Sequence, residues 1–431
     1  MKIIQYKSFL IKKSFLYLIF GLFLQIVLFT SVVSCLVLTN SAQELTKQWP
    51  TNEWKHITPK ECGLNQIYLD QFTALLENGS IPVYSVVIAN TEGYILYEYH
   101  LHYFDENKTY GIYSITKSIM GLLIGIAIDK GFIESVDVPI SNYFNSSEWR
   151  NTDPRKEEIT IRHLLTFTAG FDYDEISTPY SDPDNDFNIW KSSSDWVQYA
   201  LNLPLNADPG QQFTFCSPAS HLLSAILYNA THRTPLDFAE QYLFDPIGID
   251  IGRWSTGSGA KGIQDGSNGI TMTTRDMTRL GYLIMNNGTW NGTQIISEEW
   301  VQETTRPQFQ DFFGYQWWIL PEDEFGKGAS YASGFHANKL IIILREYGFV
   351  ISIVVEYGDI VGVSDVHKKL ITDYLIPATL PYNPDSSETT TNASTLTTDH
   401  SNNESTSPFY ALLILPSMCV LVYSKKRRKN L

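Results

Sequence analysis

The amino-acid sequence predicts an α+β fold in which one antiparallel sheet is drawn from both ends of the domain and helices fill the middle. Three observations carry that expectation. Val83–Ile88 and Tyr94–Tyr99 are rich in β-branched and aromatic residues, and the Asn-Thr-Glu-Gly turn of residues 90–93 joins them. Leu340–Leu344 and Phe349–Glu356 form a second strand pair, turning around Tyr347 and Gly348. Between the pairs lie the helical candidates Ile115–Asp129, Ile161–Thr166, Ser217–Tyr228, Pro235–Leu243 and Thr274–Met285. Strands at both ends of a helical middle place the sheet and the helices in separate layers.

Composition agrees with a packed domain. The 431 residues are 43% hydrophobic and only 18% charged, enough for a large core and too few charges for a disordered or coiled-coil chain. A formal net charge of −15 argues against a nucleic-acid binder, which would carry a basic stripe. Cys35 and Cys419 fall in hydrophobic end segments, leaving Cys62 and Cys216 in the globular part. Neither has metal-type spacing, so no metal and no cofactor are expected. An oxidising compartment would permit a Cys62–Cys216 disulfide, a pairing the sequence leaves open.

The two ends set an expected address. Lys2, Lys7, Lys12 and Lys13 precede an apolar stretch from Ser14 to Leu38, so residues 1–41 read as an export signal or an N-terminal membrane anchor. Val32-Val33-Ser34-Cys35 faintly resembles a lipoprotein box, but the apolar Leu36-Val37-Leu38 that follows disfavours it. Residues 42–381 form the domain. Residues 382–407 are rich in Ser, Thr and Asn with little to bury, and read as a stalk. Residues 408–424 are nearly all apolar and read as a transmembrane segment; residues 425–431, led by Lys425, Lys426, Arg427 and Arg428, read as a cytoplasmic tail. Eight Asn-x-Ser/Thr sequons, beginning at Asn78, Asn107, Asn145, Asn229, Asn287, Asn291, Asn392 and Asn403, suit a glycosylated exterior. The expectation is a surface domain held to the cell membrane, with the membrane as a partner through its terminal segments.

Within the domain, Ser114 and Lys117 are three positions apart at the start of an apolar helix, which puts both side chains on one face. A serine hydroxyl needs an adjacent base, and a lysine serves when burial or nearby positive charge favours its neutral form. The helix N-terminus adds oriented N–H groups for an oxyanion. The spacing alone is weak: Ser258 and Lys261 repeat it in a glycine-rich loop with no helix to fix geometry. Residues 118–128 are apolar almost all round, which marks a buried central helix, and Gly131 stops it. The competing reading is a cap serine with a snorkelling lysine.

Ile112-Tyr113-Ser114-Ile115-Thr116-Lys117-Ser118, with the apolar helix behind it, resembles the active-site segment of the serine β-lactamase-like superfamily. That group includes class C β-lactamases, DD-peptidases, related esterases and 6-aminohexanoate-dimer hydrolases. Further segments resemble it in order: Arg162 to Gly170, Pro209 to Phe213, Asn268 to Met277, and Tyr315 to Trp318. The similarity spans roughly Trp54 to Thr379. It implies a β-lactamase/transpeptidase-like fold and an acyl-enzyme mechanism, with Ser114 as nucleophile and Lys117 as base. The oxyanion hole would come from the N–H of Ser114 and an N–H of the last-sheet strand.

Two departures stand out. The second motif of such proteins is Tyr-x-Asn or Tyr-x-Ser; here it reads Phe215-Cys216-Ser217, so the proton-relaying hydroxyl is missing while Ser217 is expected to hydrogen-bond Lys117 or a substrate. The third motif falls at Gly334 to Asn338, with His336 as its candidate and Asn338 where a glycine lets substrate lie close. His100 and His102 share a strand face, His163 reads as structural, and Trp190, Trp196 and Tyr180 to Phe187 are expected either to line a cleft or to pack a lid. The leading expectation is a serine hydrolase acting outside the cell on a small-molecule or peptide-like ester or amide. The alternatives are a weakened member that binds such a ligand, favoured by Phe215, and a purely structural surface protein.

Overall fold

The structure, a computed structural model, describes residue 25 and residues 45–79, 83–149, 152–259, 262–335, 338–355 and 368–380. The chain divides into a unit of residues 1–46 and a unit of residues 47–431, and the architecture is that of the second. The expected stalk and C-terminal segment, and all but Gln25 of the apolar N-terminal stretch, lie outside the described residues. Among the described residues no helix is long and apolar enough to cross a membrane.

The chain enters as β1 (Lys55–His56), then α1 (Gln66–Glu77), capped by the Asn65 side chain on the Ile67 N–H. A hairpin follows, β2 (Val83–Asn90) and β3 (Tyr94–His100). A short strand β4 (Thr109–Gly111) leads into α2 (Ile115–Asp129), and then α3 (Ile161–Leu165), α4 (Asp186–Ser192), α5 (Trp196–Asn202), α6 (Ser217–Thr231) and α7 (Pro235–Ala239) make the helical middle. Strands β5 (Arg253–Trp254) and β6 (Ile270–Thr273) precede α8 (Thr274–Met285). The hairpin β7 (Thr289–Trp290) and β8 (Thr293–Gln294), α9 (Glu298–Thr304), β9 (Trp318–Ile319), β10 (Ser330–Gly334), β11 (Lys339–Leu344) and β12 (Phe349–Val355) complete it.

The main sheet runs β1-β3-β2-β12-β11-β10-β9. The β2/β3 hairpin thus pairs with β12 near the other end of the domain, Ile88 opposite Ile351, and only the β1–β3 pairing is parallel. Period-two alternation sends side chains to two separate cores. Ile341, Ile343, Val87 and Ala89 face α2 and α8, whereas Leu340, Ile342, Ile351 and Val86 face α1 and the chain at Leu370–Leu375. The expected α+β layering, with a sheet from both ends of the domain, is therefore found.

Helix α2 lies in the middle of the larger core. Its residues Ile115 to Ala127 are all buried, and it stops before Gly131, which takes a left-handed φ of 74°. Gly125 is required by close approach: a Cβ there would sit 2.2 Å from Nε1 of Trp300 on α9. That indole donates to the Gly121 carbonyl at 3.1 Å, which locks α9 across α2. The expected helix at Pro235–Leu243 is found and runs on to Ile247, as α7, a π-helical turn over Glu240–Phe244 and a last α-helical turn over Asp245–Ile247. Pro246 in that last turn contributes no N–H to a regular ladder.

Candidate active site

Strand pairing brings two distant segments together. β4 pairs with β6, with Gly111 opposite Thr271, and the Ile112 N–H continues the ladder to the Ile270 carbonyl at 3.0 Å. The chain then turns through Tyr113, whose φ of 48° is unusual for a residue with a side chain, and Ser114 opens α2. Gly334 on β10 passes beneath this turn; a Cβ there would lie 2.2 Å from the Ile112 carbonyl oxygen. The Ser114 side chain makes no capping bond, and its N–H has no acceptor among the described residues. A cap serine is thereby excluded, and the N–H stays available to an oxyanion.

Lys117 does not snorkel. It is 4% exposed, with Nζ 2.8 Å from Ser114 Oγ and 2.9 Å from the Ser267 carbonyl oxygen. Burial pushes its ammonium pKa down to about 8; Glu175 and Asp265 oppose that shift and Lys191 adds to it. The pair thus has the contact and the depressed basicity that nucleophile activation needs.

The second motif behaves differently from expectation in one respect. The Phe215 ring lies 5.1 Å from Lys117 Nζ and packs on Phe167 and Trp318, so it holds shape. No tyrosine hydroxyl bonds Ser114 or Lys117 among the described residues. Ser217, expected to bond Lys117 or a substrate, turns away to Glu175: its N–H donates to Oε2 at 3.0 Å and its hydroxyl to Oε1 at 2.8 Å. The reason is geometric, since Ser217 is the first residue of α6 and its N–H has no intrahelical partner. Glu175 is 1% exposed and also accepts from the Tyr180 hydroxyl at 3.1 Å. Sequence reasoning passed over Glu175, because one acid among many between Asp172 and Asp186 carries no spacing signal.

Asp265 completes the support. Its Oδ1 accepts the N–H and hydroxyl of Ser267 at 3.0 and 2.8 Å, fixing the carbonyl that Lys117 reaches. Its Oδ2 pairs with Lys191. The Lys191 ammonium sits 3.8 Å from the Trp196 ring centre and 4.5 Å from that of Trp190. The two tryptophans thus form a cage for that ammonium; Tyr180 meets Phe335 in a tilted contact with ring centres 5.7 Å apart, and Phe335 meets Tyr113, beside the nucleophile, at 5.4 Å.

His336 lies outside the described residues. Asn338 is fully buried, its N–H taken by the Phe335 carbonyl at 2.9 Å, so it is not the open position next to a substrate that its place in the motif suggested. Cys62 and Cys216 are both free. They pack into the cores on opposite faces of the sheet, which rules out the Cys62–Cys216 bridge. His163 Nδ1 accepts the Thr160 N–H in a capping box, a structural role. His100 bonds Glu98 and Ser85, and no group of three or more potential metal ligands exists among the described residues. Of the second Ser-x-x-Lys match, Ser258 bonds the Ser194 carbonyl and Lys261 lies outside the described residues. A cavity of about 360 Å³ lined by Trp149, Asp195, Gln198 and His221 lies elsewhere and includes neither Ser114 nor Lys117.

Comparisons with known proteins agree on a family and a fold. Residues 70–359 match the family model described as Beta-lactamase. The 6-aminohexanoate-dimer hydrolase of Paenarthrobacter ureafaciens is 23% identical over 218 residues, covering 48% of this chain and 53% of that protein. The chain thus spans about half the length of that curated relative. Among solved structures, a putative 6-aminohexanoate-dimer hydrolase from Bacillus anthracis superposes with a TM-score of 0.59 at 17% identity, over 76% of this chain and 89% of its own. EstCE1, a hydrolase with promiscuous acyltransferase activity, gives 0.57 at 14% identity, over 73% and 98%. At these identities the structural likeness concerns fold alone.

Proposed function

The chain belongs to the Beta-lactamase family of serine hydrolases, and from that premise we propose that it is a membrane-anchored, extracytoplasmic enzyme that opens an ester or amide through an acyl-enzyme on Ser114. The observation that carries the reading is the 2.8 Å contact between Ser114 Oγ and the nitrogen of a buried Lys117. Neutral Lys117 takes the hydroxyl proton as Oγ bonds to the carbonyl carbon, and the carbonyl electron pair moves to oxygen beside the free Ser114 N–H. The tetrahedral species collapses, the leaving group departs with the proton from Lys117, and water then hydrolyses the Ser114 ester. The apolar and basic character of the chain ends and the sequons support the exterior, membrane-held placement. The substrate in this reading is a small-molecule or peptide-like carbonyl compound.

Phe215 favours a second reading, a weakened member that binds its ligand with little turnover, because general acid–base help is worth about 10²–10⁴ in rate. Labelling with a fluorophosphonate probe tests both. A Ser114-dependent adduct, lost in Ser114→Ala, is the expected result; no such adduct at any pH sinks the hydrolase reading and leaves the binding one.

A further inference from the structure

Lys117 and Glu175 are both buried, and among the described residues neither forms an ion pair within contact distance. Among those residues Lys117 Nζ reaches the Ser114 hydroxyl and the Ser267 carbonyl. The Glu175 carboxylate accepts from uncharged donors, the Ser217 N–H, the Ser217 hydroxyl and the Tyr180 hydroxyl. An isolated buried charge is costly, so each group needs a counter-charge nearby. Asp265, the other carboxylate near Lys117, is already paired with Lys191.

We propose that Glu175 is a positioning residue for acyl transfer: it is the counter-charge of Lys117 and, through Ser217, the anchor of the second motif. The inference rests on the Ser114 hydrolase reading. The second motif joins the two groups: the Phe215 ring lies 5.1 Å from Lys117 Nζ, and Ser217, two residues on, donates to both Glu175 oxygens. The charges acting on Lys117 are those of Glu175 from the loop after α3, Asp265 from the loop before β6 and Lys191 from α4, with the Cys216 thiol at the head of α6. After burial, Glu175 exerts the largest effect on Lys117, and it favours the ammonium. Tyr173, Tyr180 and Cys216, which surround Glu175, are all pushed upward first by burial and then by that carboxylate, so they stay neutral. When Lys117 takes the Ser114 proton, an ammonium appears in a site without water-like screening. Glu175 stabilises it until the proton passes to the leaving group as the bond from carbon to that group breaks. With Phe215 in place of a phenol no hydroxyl shares this task, so the carboxylate bears more of it.

The test is the rate of fluorophosphonate labelling against pH on the full-length protein, for wild type, Glu175→Gln, Glu175→Asp and Ser217→Ala. Wild type should label with a midpoint near pH 8, the pKa that burial gives Lys117. Glu175→Gln should move the midpoint down by about one unit, raising labelling well below the midpoint roughly tenfold relative to its own plateau. Glu175→Asp, which retracts the charge, should move it in the same direction by less. Ser217→Ala keeps both charges and should lower the plateau without moving the midpoint. Equal midpoints in wild type and Glu175→Gln overturn the inference; if Glu175→Gln does not fold, Glu175→Asp is read the same way. Absence of any Ser114 adduct in wild type is a different failure, that of the hydrolase reading itself.

Discussion

Lys117 Nζ lies 5.1 Å from the centre of the Phe215 ring, so the base faces an aromatic π-cloud where the resemblance to Tyr-x-Ser motifs leads one to expect a hydroxyl. A cation held over a phenyl face is stabilised, modestly, but a phenyl face cannot accept or return a proton. Phe215→Tyr is therefore expected to raise the rate of Ser114 acylation by about a hundredfold, the low end of what general acid–base help supplies. An unchanged rate in stopped-flow labelling would show that the relay is not what limits this site.

The pH dependence has a fixed sign. Lys117 acts as base only when neutral, and its pKa is about 8, so activity should climb as pH rises through that value and level off above it. Lys117→Met removes the base and should cost about 10³-fold or more in labelling rate while leaving the fold intact, because a buried amine is replaced by an apolar chain of similar length. A Lys117→Met variant with wild-type rate and an unmoved acid limb would assign the base elsewhere.

His221 gives a stability prediction. Burial lowers its pKa to about 4 from the ordinary 6.5, so the folded chain keeps it neutral while the unfolded chain protonates it. The unfolded state thus binds the extra proton between those values, and folding stability falls as pH drops from 6.5 towards 4, by roughly 3 kcal/mol in the limit. Thermal melts of wild type and His221→Gln across that window check it: the variant should lose part of the slope.

Gly125→Ala tests the packing of the central helix. A methyl group there would meet the Trp300 indole at 2.2 Å, and overpacking of this kind costs about 1–3 kcal/mol. A melting temperature lowered by several degrees is expected; an unchanged one would mean that α9 lifts from α2 without strain.

Helix α2 was legible to the residue because it is apolar on every side and bounded by Ser114 and Gly131, and α8 because Thr273 and Asp276 spell a capping box. The β2/β3 hairpin and the β11/β12 pair were legible from composition and turns. Helix α1 was not among the expected helices, although Leu69, Phe72 and Leu76 fall at helical spacing along one buried stripe. The nucleophile and its base could be read because three-residue spacing is local. Glu175 could not, because its meaning comes from meeting Ser217, a contact made across the fold between residues whose order in the chain says nothing of proximity. The bare motif match likewise put Ser217 beside Lys117, and could not foresee that the head of a helix would claim it for a carboxylate.

The pairing of Asn90 with Phe349 has a bearing on biogenesis. The two strands are separated by about 260 positions of chain, so β2 must wait for most of the domain to leave the ribosome before its second edge is covered. During that interval the hairpin presents a row of unpaired backbone groups flanked by valine and isoleucine. The nascent domain therefore depends on something to shield that edge until its last strand arrives, and a chain cut before Phe349 should be a substrate for degradation more than a shortened enzyme.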